Sequence, residues 1–178
     1  MSLRPLSDTS FGLVEQIKTI VKHSLFEELQ MRIANGDIRV YTYDGAVLLH
    51  YCVLYQNLDM IEFALKNGAD PNIPYFYDNK DRMEILPLVF AVYMYEPTII
   101  KTLDIVKSLL QYGANPMLKS SPNMFTRQHI SAYELSKKNR FDYLTLKFID
   151  AIKPLSYRHY RYGLANPKTT RRKSSNKR

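Results

Sequence analysis

Four histidines and one cysteine are the side chains best suited to nucleophilic catalysis or zinc binding, and the sequence scatters them. His23, His50, Cys52, His129 and His159 match none of the spacings by which catalytic and zinc-binding motifs are recognised. His50 and Cys52 share an apolar stretch, where a structural hydrogen bond and a small core side chain are the expected roles. The chain also lacks a glycine-rich phosphate loop. We therefore predict that the protein is not an enzyme and has no catalytic residue, metal site or cofactor.

Tyrosine is the residue type whose abundance points to binding, because the chain has 14 tyrosines and no tryptophan. Tyr43, Tyr75 and Tyr77 flank predicted turns, whereas Tyr55 and Tyr93 lie near the ends of predicted helices. Tyrosine offers a large contact area and one polar group at low entropic cost, and it is enriched where proteins bind one another. The pattern favours a recognition surface. The alternative is that these rings pack on one another within inserted loops.

The net charge of +8 belongs to one end of the chain. All 17 acidic residues lie within residues 1–156, where an equal number of basic residues balances them. The surplus follows in residues 157–178, which we predict to be a disordered basic tail. The tail could give a weak contact to nucleic acid or to an importin, and its alternative role is a solvated terminus. Its candidate residues are Lys168, Arg171, Arg172, Lys173, Lys177 and Arg178.

An internal repeat organises the rest of the chain. Gly68-Ala69-Asp70-Pro71 recurs as Gly113-Ala114-Asn115-Pro116, and amphipathic helices at 58–66 and 103–111 precede the two copies. Weaker helix pairs precede and follow these, the last one ending at Pro154. The pattern predicts an N-terminal arm at 1–12 and a repeat domain at 13–156. Its four repeats are expected at about 13–40, 41–76, 83–118 and 128–156.

The stretch from Asp44 to Asn72 resembles one ankyrin repeat, from its opening turn through two helices to its closing turn. This resemblance implies an all-α solenoid of stacked antiparallel helix pairs with protruding hairpin loops. Asp44-Gly45 is expected to form a tight turn, and Gly68 to close a helix in the left-handed conformation. The resemblance also implies a module that binds a partner protein on its concave face and hairpin tips.

Two insertions distinguish this chain from a regular array. The two Gly-Ala motifs are 45 residues apart, where the family repeat is about 33. The additional residues fall at about 73–82 and 93–102, and the connection at 117–130 is also long. Insertions of this kind map to loops, often on the binding face. Carried over by repeat position, the candidate contacts are Tyr43, Asp44, Ala46, Leu54, Tyr55, Arg82, Glu84, Tyr93 and Met94, with Tyr75, Phe76 and Tyr77 from the first insertion.

The expected partner is a protein, bound by a monomer. Short, divergent arrays rich in isoleucine, lysine and tyrosine resemble those of large DNA viruses and intracellular bacteria, which suggests a host-directed effector or inhibitor. The alternative is a nuclear or nucleic-acid-associated adaptor anchored by the basic tail. The longest apolar run, at 85–95, is too short to span a bilayer. We expect a cytoplasmic protein, or a nuclear one under the alternative, and a host-cell location for an effector.

Overall fold

The computed structural model describes residues 8–78, 83–121 and 128–163. Within these residues the chain forms eight helices and two short hairpins. The helices are α1 (Asp8–Lys22), α2 (Phe26–Ala34), α3 (Tyr43–Leu54), α4 (Leu58–Lys66), α5 (Pro87–Tyr93), α6 (Ile100–Gln111), α7 (Ala132–Lys138) and α8 (Asp142–Gly163). The antiparallel hairpins pair β1 (Tyr75–Asp78) with β2 (Met83–Ile85), and β3 (Lys119–Ser120) with β4 (Ile130–Ser131).

The helices form a two-layer solenoid, as the sequence predicted. The first helices of successive pairs, α1, α3, α5 and α7, pack side by side in one row. Each packs on its own second helix, and α4 also contacts α6 in the outer row. Because each pair has an apolar surface that it cannot bury alone, stacking joins these surfaces into one continuous core.

Helix α3 lies at the centre of this core, and its residues from Gly45 to Val53 are all buried. Leu48, Leu49 and Cys52 are fully enclosed by α1, α4, α5 and β1. Burying a leucine side chain contributes about 2 kcal/mol, so this one helix supplies a large share of the driving force for folding.

The same turn closes three of the second helices. Gly36, Gly68 and Gly113 have φ values of 81°, 92° and 90°. After α4, the Gly68 N–H donates to the Leu65 carbonyl and the Ala69 N–H donates to the Ala64 carbonyl. These two bonds define a Schellman motif, in which glycine takes the left-handed conformation without a Cβ clash. The prediction for Gly68 is confirmed.

A second recurring turn joins the two helices of a pair. Ser24, Gln56 and Arg140 have φ values of 53°, 53° and 56°, although all three carry a Cβ. In each case this residue and the next donate to carbonyls three and five residues earlier, such as Val53 for Gln56. The turn recurs in the first, second and fourth pairs, whereas the insertion between α5 and α6 replaces it in the third.

The predicted turn at Asp44-Gly45 is wrong, because both residues belong to the first turn of α3. Thr42 is the N-cap, and its hydroxyl accepts from the Asp44 N–H at 3.4 Å. A Cβ on Gly45 would lie 1.8 Å from the Val40 carbonyl oxygen. Glycine is therefore required here for the close approach of two backbone segments.

Two predicted helix ends also need correction, whereas the bounds of the repeat domain stay a prediction. Helix α8 continues through Pro154 to Gly163, so it does not end where the sequence suggested. A proline removes one N–H from the helical ladder, which a long helix can tolerate as a local defect. Helix α1 begins at Asp8, inside the predicted arm, among residues that favour helix starts. Residues 164–178 lie outside the described part, and the disorder of the tail stays a prediction.

Candidate protein-interaction surface

The surface has two edges, which differ in how their aromatic side chains are used. The hairpin edge comprises the N-terminal ends of the first helices with β1–β4. The turn edge comprises the inter-helix turns at the opposite ends of the pairs. Helix α3 has 12 residues, so it separates the two edges by about 17 Å.

At the hairpin edge, the imidazole of His50 lies between two aromatic rings. Its ring centroid is 4.2 Å from that of Tyr75 and 4.5 Å from that of Phe90, with interplanar angles of 16° and 15°. Burial lowers the pKa of His50 to about 3, because a charged imidazolium would lose its hydration. The ring is therefore neutral at physiological pH and packs as part of the core, while the hydrogen bond predicted for it stays a prediction.

The inserted hairpin is fixed to α3 by tyrosines. The Phe76 N–H donates to the Tyr43 hydroxyl at 3.1 Å, and the Tyr51 and Tyr75 hydroxyls are 3.4 Å apart. Burial raises the pKa of Tyr43 to about 12, so its hydroxyl keeps its proton. Strand β1 thus packs back onto α3 and covers rings that would otherwise face solvent.

The two hairpins are also tied to each other. Ser121 donates to a Glu84 carboxylate oxygen at 2.8 Å, and the Leu86 N–H donates to the Ser120 hydroxyl at 2.9 Å. Below them, the Asn72 side-chain amide bridges to the next closing turn. Its Nδ2 donates to the Gly113 carbonyl at 3.0 Å, and its Oδ1 accepts from the Asn115 N–H at 2.8 Å.

This packing corrects two predicted contacts. Ala46 and Tyr75 are only 1% and 9% exposed, because α3 is enclosed and the Tyr75 ring stacks on His50. Almost none of either side chain is exposed to a partner. The half-buried Tyr43, Asp44, Phe76 and Glu84 remain at the surface. Arg82 and the side chain of Tyr77 lie outside the described part of the chain.

The turn edge holds the other four predicted contacts. Tyr55 and Tyr93, at the ends of α3 and α5, are 37% and 43% exposed, and Leu54 and Met94 beside them are half-buried. The structure therefore brings Tyr55 and Tyr93 to one edge but does not bring them together with the hairpin residues.

Contacts join two pairs of neighbouring turns along this edge. The Asn57 amide donates to the Ser24 hydroxyl at 3.2 Å, joining the first two turns. The rings of Tyr95 and Phe141 meet edge to face at 5.0 Å, joining the last two. The inserted third turn is closed by the Thr102 hydroxyl, which donates toward the Ile99 and Glu96 carbonyls at 2.7 and 3.1 Å.

Three further apolar side chains are exposed on this edge, those of Ile99, Ile100 and Tyr143, and none of them was predicted to bind. All three lie beside a helix start, where the periodic apolar pattern has not yet begun. The sequence signal for their exposure is an apolar residue that lies next to a turn and out of phase with the apolar stripe of its helix.

The described residues give no support for metal binding or for nucleophilic catalysis. No group of three histidine, cysteine or carboxylate side chains there could hold a metal ion. The Cys52 thiol is fully buried, which raises its pKa and keeps it protonated. None of the helices in the described ranges is long and apolar enough to cross a membrane.

Comparison with known proteins agrees with the geometry of the second helix pair. A family model described as an ankyrin repeat matches residues 45–73, which span α3, α4 and their closing turn. The chain therefore contains an ankyrin repeat, a unit found in protein–protein interaction modules. It is similar to an ankyrin repeat protein of Acanthamoeba polyphaga mimivirus, with 30% identity over 103 residues. The match covers 58% of this chain but only 11% of the viral protein.

Proposed function

We propose that this protein is a non-enzymatic module that holds a partner protein along its turn edge and the adjoining concave face. The observation that carries this proposal is the exposure of Tyr55 and Tyr93 on neighbouring first helices, above a fully packed core. Tyrosines on a rigid scaffold lose little entropy on binding, and they contribute strongly where a partner covers them.

The division into four repeats belongs to this proposal, because the family match covers only the second pair. Its support is the recurrence of the same local geometry elsewhere. The closing motif of Gly68 recurs at Gly36 and Gly113, and the inter-helix turn of Gln56 recurs at Ser24 and Arg140. The exposed edge would then be a property of the whole array.

A host-directed role is the finer part of the proposal. The similarity to a viral ankyrin repeat protein supports an effector or inhibitor that acts on a host protein. The sole cysteine, Cys52, is buried and unpaired, which suits a reducing compartment such as the cytoplasm. The monomeric state stays a prediction.

An adaptor anchored by the basic tail is the second candidate. It is favoured by the eight basic residues and the absence of acidic ones after residue 156. Binding by such a tail would release counterions and fall steeply with salt, whereas binding through tyrosine rings would change little.

Affinity capture with the full chain separates these functions. The double variant Tyr55→Ser with Tyr93→Ser is expected to capture at least about tenfold less of the partner protein. Tyr41→Ser is the matched control, because Tyr41 is exposed but lies beside the hairpin edge. A second variant replaces Arg171, Arg172 and Lys173 with serine. If retention of the partner requires the basic tail and low salt but neither tyrosine, the adaptor function is favoured instead.

A further inference from the structure

The last two turns of the turn edge form a patch that the proposed function does not yet explain. Ile99 and Ile100 lie at the start of α6, and Ile100 is 75% exposed, the highest value among the large hydrophobic side chains described. Tyr143, also exposed, lies at the start of α8. The Tyr95–Phe141 ring contact places these two turns side by side. Exposed apolar side chains that are grouped together, unlike those scattered singly, often mark a binding site.

Basic side chains lie on the same two turns as these apolar ones. Lys101, Lys138, Arg140 and Lys147 are exposed, and none pairs with a carboxylate within the described ranges. By contrast, Lys18, Lys66, Lys107 and Lys119 each have a carboxylate oxygen within 3.4 Å. Lys147 lies instead 5.4 Å from the centroid of the Tyr143 ring. The patch therefore combines exposed apolar area with a local excess of basic side chains, although residues 1–156 as a whole are neutral.

The position of Arg140 is fixed by its backbone. Its φ of 56° places it in the left-handed region, and its N–H donates to the Lys137 carbonyl at 3.1 Å. The next residue, Phe141, donates to the Ser136 carbonyl at 2.9 Å. A guanidinium that extends from such a rigid turn is well suited to a carboxylate, which it can bind with two parallel hydrogen bonds.

We propose that this patch, formed by Ile99, Ile100, Lys101, Lys138, Arg140 and Tyr143, docks an acidic protein segment that also carries apolar side chains. The inference rests on the proposed function and adds the chemistry of the partner. The apolar side chains of the segment cover Ile100 and Tyr143, while its carboxylates meet the surrounding cations. Charge complementarity of this kind raises the association rate and excludes basic competitors.

The composition of the patch favours a protein segment over a nucleic acid. Single-stranded nucleic acids need flat rings on which bases stack and a continuous basic track for the backbone. Here the most exposed side chain is aliphatic, and the acidic Glu96 and Asp142 interrupt the basic surface. A peptide can space its carboxylates to avoid these two residues, whereas a regular phosphate backbone cannot.

The test is a selection of random displayed peptides on the full chain, followed by fluorescence anisotropy on the selected sequences. The selected peptides are expected to be enriched in Asp and Glu together with Leu, Ile or Phe. Ile100→Glu and, separately, Lys101→Glu should each weaken their binding at least about tenfold. The matched control is Met31→Glu, since Met31 is an exposed apolar residue of α2 at the far end of the array. It should change affinity by less than about twofold.

Each contrary result has a distinct meaning. Peptides without acidic residues that still require Tyr55 and Tyr93 would overturn this inference and leave the proposed function standing. The same conclusion follows if no peptide is enriched while affinity capture still depends on those tyrosines. If both assays fail, both proposals are overturned. If a single-stranded DNA oligonucleotide displaces the peptides and its own binding depends on Lys101, the patch is a nucleic-acid site and the inference is wrong. Thermal unfolding of each variant by circular dichroism verifies that the fold is retained.

Discussion

The hairpin edge and the turn edge contain similar aromatic side chains but use them in opposite ways. At the hairpin edge, the rings of Tyr43 and His50 both pack against the ring of Tyr75 in the inserted strand β1. At the turn edge, Tyr55 and Tyr93 remain exposed to solvent. The difference arises because the insertion after α4 folds back onto α3, whereas the insertion after α5 is closed by Thr102 and leaves its neighbours uncovered. Aromatic content alone therefore does not identify a binding surface.

Gly45→Ala is the substitution expected to destabilise the packed hairpin edge most. The new methyl group would clash with the Val40 carbonyl, so we expect the free energy of unfolding to fall by about 3 kcal/mol or more. Gly12→Ala is the control, because Gly12 lies in α1 with no atom within 4 Å of the added Cβ. It should stabilise the protein by up to about 1 kcal/mol. Urea denaturation measures both, and equal effects would show that this edge is not tightly packed.

Tyrosine-to-alanine changes compare the two edges directly. Tyr75→Ala removes a ring that stacks on His50 and should cost about 3 kcal/mol of unfolding free energy. Tyr55→Ala should cost less than about 1 kcal/mol, because its ring is exposed. Both values come from chemical denaturation of the full chain. Comparable losses of unfolding free energy would mean that the aromatic rings of the two edges are packed alike.

Acid should weaken the hairpin edge through His50. The pKa of this buried imidazole is lowered to about 3, whereas an unfolded histidine titrates near about 6.5. Between these values the unfolded chain binds a proton that the folded chain does not, so stability falls as the pH falls. The loss attributable to His50 should reach about 2 kcal/mol at about pH 5. Unfolding curves of His50→Gln, measured over the same pH range, should lack this component, and an unchanged slope would contradict the assignment.

The smallest expected effect concerns the bridge between repeats. Asn72→Ala removes hydrogen bonds to Gly113 and Asn115 and should cost about 1 kcal/mol. Asn139→Ala is the control, since the Asn139 side chain is exposed at the end of α7 and should change stability by less than about 0.5 kcal/mol. Differential scanning calorimetry resolves the two, and a neutral Asn72→Ala would show that the bridge adds nothing to stability.

Local signals made much of the fold predictable. The sequence placed α4 at 58–66, the observed bounds, and in the structure the Asn57 N-cap and the Gly68 turn define these two ends. The start of α6 was placed three residues late, since Ile100 is out of phase with the apolar stripe. The second pair also had the clearest resemblance, and the family match lies within it.

The use of the surface was less predictable, because it depends on contacts between residues distant in sequence. The burial of Tyr75 requires β1 to return to His50, 25 residues earlier, and no local pattern encodes that return. Exposed lysines look alike in sequence whether or not a carboxylate lies nearby. The difference between Lys107, paired with Asp104, and Lys101, unpaired among the described residues, emerges only in three dimensions.

The left-handed inter-helix turns have a consequence for engineering. Gln56 and Arg140 hold a conformation that L-amino acids adopt at a steric cost of about 1 kcal/mol. Glycine at position 56 would relieve that cost outside the patch of exposed isoleucines and would offer a route to a more heat-resistant array. Position 24 is a poorer choice, because the Ser24 hydroxyl accepts the hydrogen bond from Asn57. Glycine at position 140 would relieve the same cost but would remove the guanidinium of Arg140. Heat resistance and partner recognition therefore compete at that single residue.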